Sequence, residues 1–593
     1  MSSLINSKLV TPCGEITNPL AGGYMDAAGN VQGALGFMSN RVVDAAGNMG
    51  TLESVGPLNC EFDLSTIGSS FEPGPWEMQL GLVETSRGNN GIISTSFPAN
   101  AASPTLSSFV SVNATGYMQG IVSGTGTWTI RSGPDTIDGV NYAGAGLLVT
   151  TGANTHTGNI VAQAGTKLQL GADCTNTTTW SKGSMTINAN ATVTQFASMP
   201  NNTVVVENLN NMGTYNLTGC GTCGVGGKYS TIGVTNTDGT INLKDVYWRN
   251  TGIWSGIGTV NVKDGATLGL SNQPPATGTV VNINGCGWCD ASGVTQGALN
   301  TVSPTTNTNL KIKVQSASCI KVNGGTNSLF SGVLSGSAPL TVSSLGTSGL
   351  PIVGFANTAN TYYGTLTFNG VNVDANYGNS LQYADVVLEN GARLSSSATQ
   401  TIGSLSSSDP TTLWNVGGSN NVFIRDNGVT TFAGRLNMTG SIGNVWLEGG
   451  SDNVLTLTNT GHTCAIFPRN GSKLILQGAT FTGAQGQVRV SAGSTVSAGT
   501  STTVSVSQLF IDATSALDVR STGTGTGLIA YTQGHSIVAG WKVNALDPLP
   551  PGTYPIIQKT NSTLIPAPTL GINNTGGTVT FTQVGNFVNM VVS

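Results

Sequence analysis

Charge is the first thing this chain is short of. Only 8% of its 593 residues are Asp, Glu, Lys or Arg, where an ordinary soluble domain carries about 25%. The 22 basic residues are spread thinly against 27 acidic ones. No Lys/Arg cluster is there to neutralise a run of phosphates, so nucleic acid is not an expected partner. Histidine is scarcer still: His156, His462 and His535 stand far apart, which excludes a His-rich metal motif. No apolar run approaches the roughly 18 residues that cross a bilayer, and membrane insertion is not expected. The N-terminus, Met1-Ser2-Ser3-Leu4-Ile5-Asn6-Ser7-Lys8, lacks the charged start and apolar stretch of a secretory signal. A phosphate-binding loop and a Gly-x-Ser-x-Gly elbow with convincing partners are also missing, and no cofactor is expected.

Glycine, Ser, Thr and Asn fill the space that charge leaves. There are 82 glycines, and the 38% of residues that are hydrophobic alternate with polar ones, the pattern of half-buried strands rather than of a disordered chain. One phrase recurs, a glycine turn followed by alternating apolar residues. It reads Ala164-Gly165-Thr166-Lys167-Leu168-Gln169-Leu170, Asp264-Gly265-Ala266-Thr267-Leu268-Gly269-Leu270, Asn390-Gly391-Ala392-Arg393-Leu394, Asn470-Gly471-Ser472-Lys473-Leu474-Ile475-Leu476 and Ala492-Gly493-Ser494-Thr495-Val496. Ala513-Thr514-Ser515-Ala516-Leu517 keeps the pattern without the glycine. Glycine supplies the positive φ of a tight turn, and Leu-x-Leu points two side chains to one face of a strand. One such unit cannot bury its face alone. Many must stack, and stacked coils of strand and turn make a β-solenoid.

Residues 1–135 read as a distinct N-terminal β-rich module. They hold eight prolines, two near-copies of a phrase (Met25-Asp26-Ala27-Ala28-Gly29-Asn30 and Val43-Asp44-Ala45-Ala46-Gly47-Asn48), and none of the turn-strand units. Residues 136–545 form the solenoid shaft. Residues 546–593 form a C-terminal cap, where Val579-Thr580-Phe581-Thr582 and Phe587-Val588-Asn589-Met590-Val591-Val592 predict a hairpin-like end. A stack of coils leaves strand edges open at both ends, which invites aggregation unless they are covered.

The run from Gly144-Ala145-Gly146-Leu147-Leu148-Val149 through Asn154-Thr155-His156-Thr157-Gly158 to Leu170 resembles the autotransporter-associated β-strand repeat of bacterial passenger domains. A second stretch resembles the same repeat, from Phe330-Ser331-Gly332-Val333-Leu334 through Thr361-Tyr362-Tyr363-Gly364 to Asn390-Gly391-Ala392-Arg393-Leu394 and Thr401-Ile402-Gly403-Ser404-Leu405. The resemblance implies an all-β, right-handed parallel β-helix. The layout, with its separate N-terminal module and no signal or anchor, is similar to that of bacteriophage tail fibres and tailspikes. It implies a structural fibre or spike of the virion, homotrimeric, fixed to other virion proteins by the N-terminal module and meeting a host surface glycan or protein. Two alternatives stand beside it: a polysaccharide-degrading tailspike and a bacterial surface adhesin.

Candidate site residues are few. Glycan cleavage needs two carboxylates about 5 to 9 Å apart. Asp385 with Glu389 and Glu448 with Asp452 are the pairs to consider, and turn and surface roles suit both; no catalytic residue is assigned. Cys220-Gly221-Thr222-Cys223 and Cys286-Gly287-Trp288-Cys289 sit in matching contexts 66 residues apart, an offset that suits three coils of about 22 residues. Cys220, Cys223, Cys286 and Cys289 are disulfide or zinc-ligand candidates, with free thiols as the remaining reading. Trp248, Trp254 and Trp446 are candidate glycan-stacking platforms, against core or trimer-seam packing.

Overall fold

The computed structural model describes side chains for residues 127–130, 147–150, 156–171, 183–196, 206–219, 233–250 and 252–593, apart from 264, 271–277, 289–295, 302–308, 324–326, 347–348, 418, 426–427, 440–442 and 561–562. Further strands are placed by their backbone alone between 9 and 142 and at 203–205, 228–231 and 305–308. Every described element is a strand. The chain divides into two compact units, Met1–Ile312 and Lys313–Ser593, and each is a β-solenoid of parallel sheets.

In the first unit a coil runs over three faces. Met185–Ile187 lies on the first, Thr192–Phe196 on the second and Thr203–Val206 on the third, before Leu209–Asn211 returns to the first. Each strand pairs in parallel with its counterpart one coil on, so that Leu168, Val193, Tyr215, Ile241, Val260 and Val281 stack in one inward row. All six are buried. Alternation produces this directly: period-two side chains send one set inward, and the next coil supplies the surface a single strand lacks. The 66-residue offset of the Cys-Gly-x-Cys phrases is indeed three coils, since Tyr215 pairs with Ile241, Ile241 with Val260 and Val260 with Val281.

The second unit stacks in the same way. Leu455, Leu474, Val496, Leu517 and Val543 form one inward row, and Leu394, Trp414 and Leu436 form another. Burying a Leu or Val side chain is worth about 1.5–3 kcal/mol, and every coil contributes several. The turn phrases fall where the repeat places them. Asn390-Gly391, Asn470-Gly471 and Ala492-Gly493 each put two successive residues at positive φ, with Asn470 at 58° and Gly471 at 84°, the geometry of a tight two-residue turn. Their N–H groups are met by the next coil. Gly391 N donates to Asp409 Oδ2 (2.7 Å), Gly471 N to Ser494 Oγ (3.1 Å) and Gly493 N to Thr514 Oγ1 (3.0 Å).

At the C-terminal end Val579–Val584 and Phe587–Val592 form the expected antiparallel hairpin, and Phe587–Val592 also pairs antiparallel with Gly552–Gln558. Strands before residue 127 are described by their backbone. Gly74–Leu82 pairs in parallel with Ala101–Val110, and that strand in turn with Thr127–Arg131. Of the two near-copies, 25–30 lies outside the described residues and so does 43–48 apart from the backbone of Val43, which ends the strand Phe37–Val43.

Candidate functional site

One outward face of the second unit departs from the Ser/Thr/Asn covering found elsewhere. Five successive strands carry the pentapeptides Asn421-Val422-Phe423-Ile424-Arg425, Asn444-Val445-Trp446-Leu447-Glu448, Ala465-Ile466-Phe467-Pro468-Arg469, Gln487-Val488-Arg489-Val490-Ser491 and Gln508-Leu509-Phe510-Ile511-Asp512. Phe423 pairs with Trp446, Trp446 with Phe467, and Arg489 with Phe510. The second and fourth residues of each point inward and are buried. The first, third and fifth make three further rows: amides interrupted by Ala465, rings with one arginine, and charges interrupted by Ser491.

The middle row is a stack. Trp446 lies 4.2 Å from Phe467 and 6.3 Å from Phe423, centroid to centroid, with the planes 26° and 18° apart. Guanidinium groups pack among the rings. Arg425 sits 5.0 Å from the Phe423 centroid, Arg469 4.3 Å from Trp446, and Arg489 4.1 Å from Phe510 and 5.5 Å from Phe467, within the reach of cation–π attraction. Glu448, 7% exposed, is held on both sides, by Arg425 Nε at 3.0 Å and by the Arg469 guanidinium. Burial and the neighbouring Arg425 charge hold Arg469 below the ordinary guanidinium range. Trp446 Nε1 donates to Asn421 Oδ1 at 3.0 Å.

The stack changes the role expected of Trp446. A sugar platform needs a free ring face, and here one face of Trp446 meets Phe467 while Phe423 and Arg469 stand against the ring. The ring is half-exposed. Trp248 and Trp254 are not platforms either: they are 0% and 4% exposed, ring against ring at 5.2 Å inside the first unit. The physical reason is their register. Trp248 pairs with Leu268, and Trp254 with Thr235, both on inward rows.

Of the cysteine candidates, Cys220, Cys223 and Cys289 lie outside the described residues. Cys286 is disulfide-bonded, as is Cys319, and a disulfide sulfur is not a thiolate ligand. The strands leading into the two phrases are three coils apart, on the order of 14 Å along the stack. The glycine of the second phrase has a local reason: a Cβ on Gly287 would lie 2.0 Å from Gly297 O and 2.3 Å from Thr267 Oγ1, and Trp288 N donates to that same Thr267 hydroxyl at 2.9 Å. Among the described residues no three His, Cys, Asp or Glu side chains gather as metal ligands would. Cys464 is a buried free thiol whose pKa burial pushes up to about 12, which makes it unreactive.

The carboxylate pairs do not converge as an acid and a base. Glu448 is committed to two arginines, and the exposed Asp452 receives Ser451 Oγ at 3.4 Å. Asp385 and Glu389 stand on one strand, with Glu389 accepting from Asn369 Nδ2 at 3.2 Å. The histidine reading is structural too. His156 Nε2 lies 3.4 Å from Asn159 O, and Tyr362, its counterpart in the second copy of the repeat, donates to Thr365 O at 2.8 Å, each three residues on.

The signal for the ring-and-arginine rows was present in the sequence as five aligned pentapeptides 23, 21, 22 and 21 residues apart. Reading from the glycine turns misses it, because these strands are not the ones that follow those turns. The chain matches no protein-family model and no curated protein sequence.

Proposed function

We propose that this protein is a structural fibre or spike of a tailed bacteriophage virion, serving host attachment or particle decoration. The observation that carries the reading is how the coils use their residues. Inward side chains pack against the next coil, and outward ones form hydroxyl and amide ladders with little charge, a composition suited to display rather than to turnover. The likeness in sequence of residues 144–170 and 330–405 to the autotransporter-associated repeat supports it, and His156 and Tyr362 each meet a carbonyl three residues on. Disulfide-bonded Cys286 and Cys319 suit a protein that works in oxidising surroundings after release. Attachment through residues 1–135 to other virion proteins, and a homotrimeric assembly, belong to the same proposal.

Antibody raised against the full chain and viewed by electron microscopy on purified particles tests it. Labelled virions are the expected result. Labelling of bacterial surfaces instead would make the protein an adhesin, and clearing of purified capsule or lipopolysaccharide by the pure protein would make it a depolymerase.

A further inference from the structure

The ring-and-arginine face carries more positive charge than it neutralises. Arg425 and Arg469 share the single carboxylate of Glu448. Asp512, the other carboxylate of the face, accepts from Ala492 N and from Thr514 N and Oγ1, and Arg489 pairs with no described carboxylate: its Nε donates to Gln487 Oε1 at 2.8 Å, its guanidinium is held between Phe510 and Phe467, and its terminal nitrogens bond to no described residue. Gln487 is itself fixed, 9% exposed, with Nε2 donating to Ala484 O at 3.2 Å. A planar cation with its aryl contacts made and its outer nitrogens unclaimed is arranged in advance for a carboxylate or sulfate. Little side-chain entropy remains to be lost on binding.

We propose that this face binds an acidic polysaccharide, its anionic groups seated on Arg489 and on the Arg425–Arg469 pair. The proposal rests on the reading that the protein meets a glycan-bearing surface, and names the class of glycan. Three features favour a saccharide among anionic polymers. The row beside the rings is amide, with Asn421, Asn444 and Gln508 half-exposed, and amides suit hydroxyl groups. The inner rings of the row, Trp446 and Phe467, have rings and guanidinium groups against them, which leaves unpaired bases little to stack on. The cations are few and spaced by whole coils, whereas a nucleic acid presents an unbroken run of phosphates.

The purified full-length chain is tested by equilibrium binding to polygalacturonate, dextran sulfate and neutral dextran, at low and high salt. Both acidic polymers bind, dextran does not, and binding weakens as salt rises. Arg489→Ala weakens binding about tenfold, while Arg393→Ala, on a different sheet, leaves it unchanged. Glu448→Gln, which frees the shared cations, strengthens it, so the inference does not hang on one variant. Dextran bound as well as polygalacturonate, or Arg489→Ala binding as wild type, overturns it. So does a change in sedimenting mass on Arg489→Ala, which would make the face a seam between copies. Virions labelled by antibody with no polymer retained sink this inference alone; polymer retained by a protein absent from virions sinks the fibre reading alone.

Discussion

Two outward ladders in this protein solve the same stacking problem with different chemistry. In the first unit Asn282, Asn261, Asn242 and Asn216 pass hydrogen bonds from coil to coil, each Nδ2 to the next Oδ1 at 2.8 Å, and Asn216 ends on Thr194 Oγ1 at 3.2 Å. Every carboxamide inside the row both gives and takes, so the ladder is complete in itself. In the second unit Phe423, Trp446, Phe467, Arg489 and Phe510 stack by dispersion and cation–π attraction, which satisfies ring faces but leaves charge. An amide ladder closes a face; an aromatic–arginine ladder stiffens it while keeping it open to an anion.

Acid should separate the two regions most strongly. His462, buried in the second unit, accepts Leu436 N at Nδ1 (3.0 Å) and packs 4.9 Å from Phe481. Burial chiefly, opposed by a backbone hydrogen bond at Asn459 and assisted by the Arg435 charge, lowers its pKa from 6.5 to about 4. Between those values the unfolded chain binds the proton and the folded one does not, so stability is full above pH 6.5 and falls as pH drops toward 4, by about 3 kcal/mol. Hydrogen exchange across that range should show Arg435–Thr439 losing protection before the asparagine-laddered strands, and His462→Gln should remove most of the difference. Equal loss in both regions would show that the histidine is not the cause.

Cutting each ladder at its centre comes next. Trp446→Ala removes two ring contacts and a cation–π partner and should cost about 2 kcal/mol in urea unfolding. Asn242→Ala strips Asn216 of its donor and Asn261 of its acceptor, yet water reaches this half-buried row, and a loss of about 1 kcal/mol is expected. If the asparagine cut proves the more costly, the ranking of the two chemistries is reversed. The smallest effect lies in a turn. Ala492 holds φ at 51°, a strained value for alanine, where the matching turns use Asn390 and Asn470. Ala492→Asn should therefore gain about 0.5 kcal/mol, read as a higher melting temperature.

Much of the fold was legible because its signals are local. A glycine or asparagine at positive φ and a Leu-x-Leu after it depend only on neighbouring residues, and they located the turns at Gly165, Gly265, Gly391, Gly471 and Gly493. The hairpin at Val579–Val584 and Phe587–Val592 followed from alternation in the same way. The site was less legible. Trp248 stands between Tyr247 and Arg249 and points into the core, whereas Trp446 stands between the buried Val445 and Leu447 and points outward, so a tryptophan fits either face and the residues beside it mark which face is wet.

From the sequence alone come the strand-and-turn unit, its inability to stand by itself, and hence a stacked solenoid, because period two and positive φ are properties of short segments. The tertiary structure decided which residues share an outward row. Coils vary in length, from 19 residues between Ile241 and Val260 to 32 between Thr115 and Leu147, so partners cannot be found by counting. Only the hydrogen-bonded register brings Phe467, Arg489 and Phe510 together and leaves Arg489 without a carboxylate partner among the described residues.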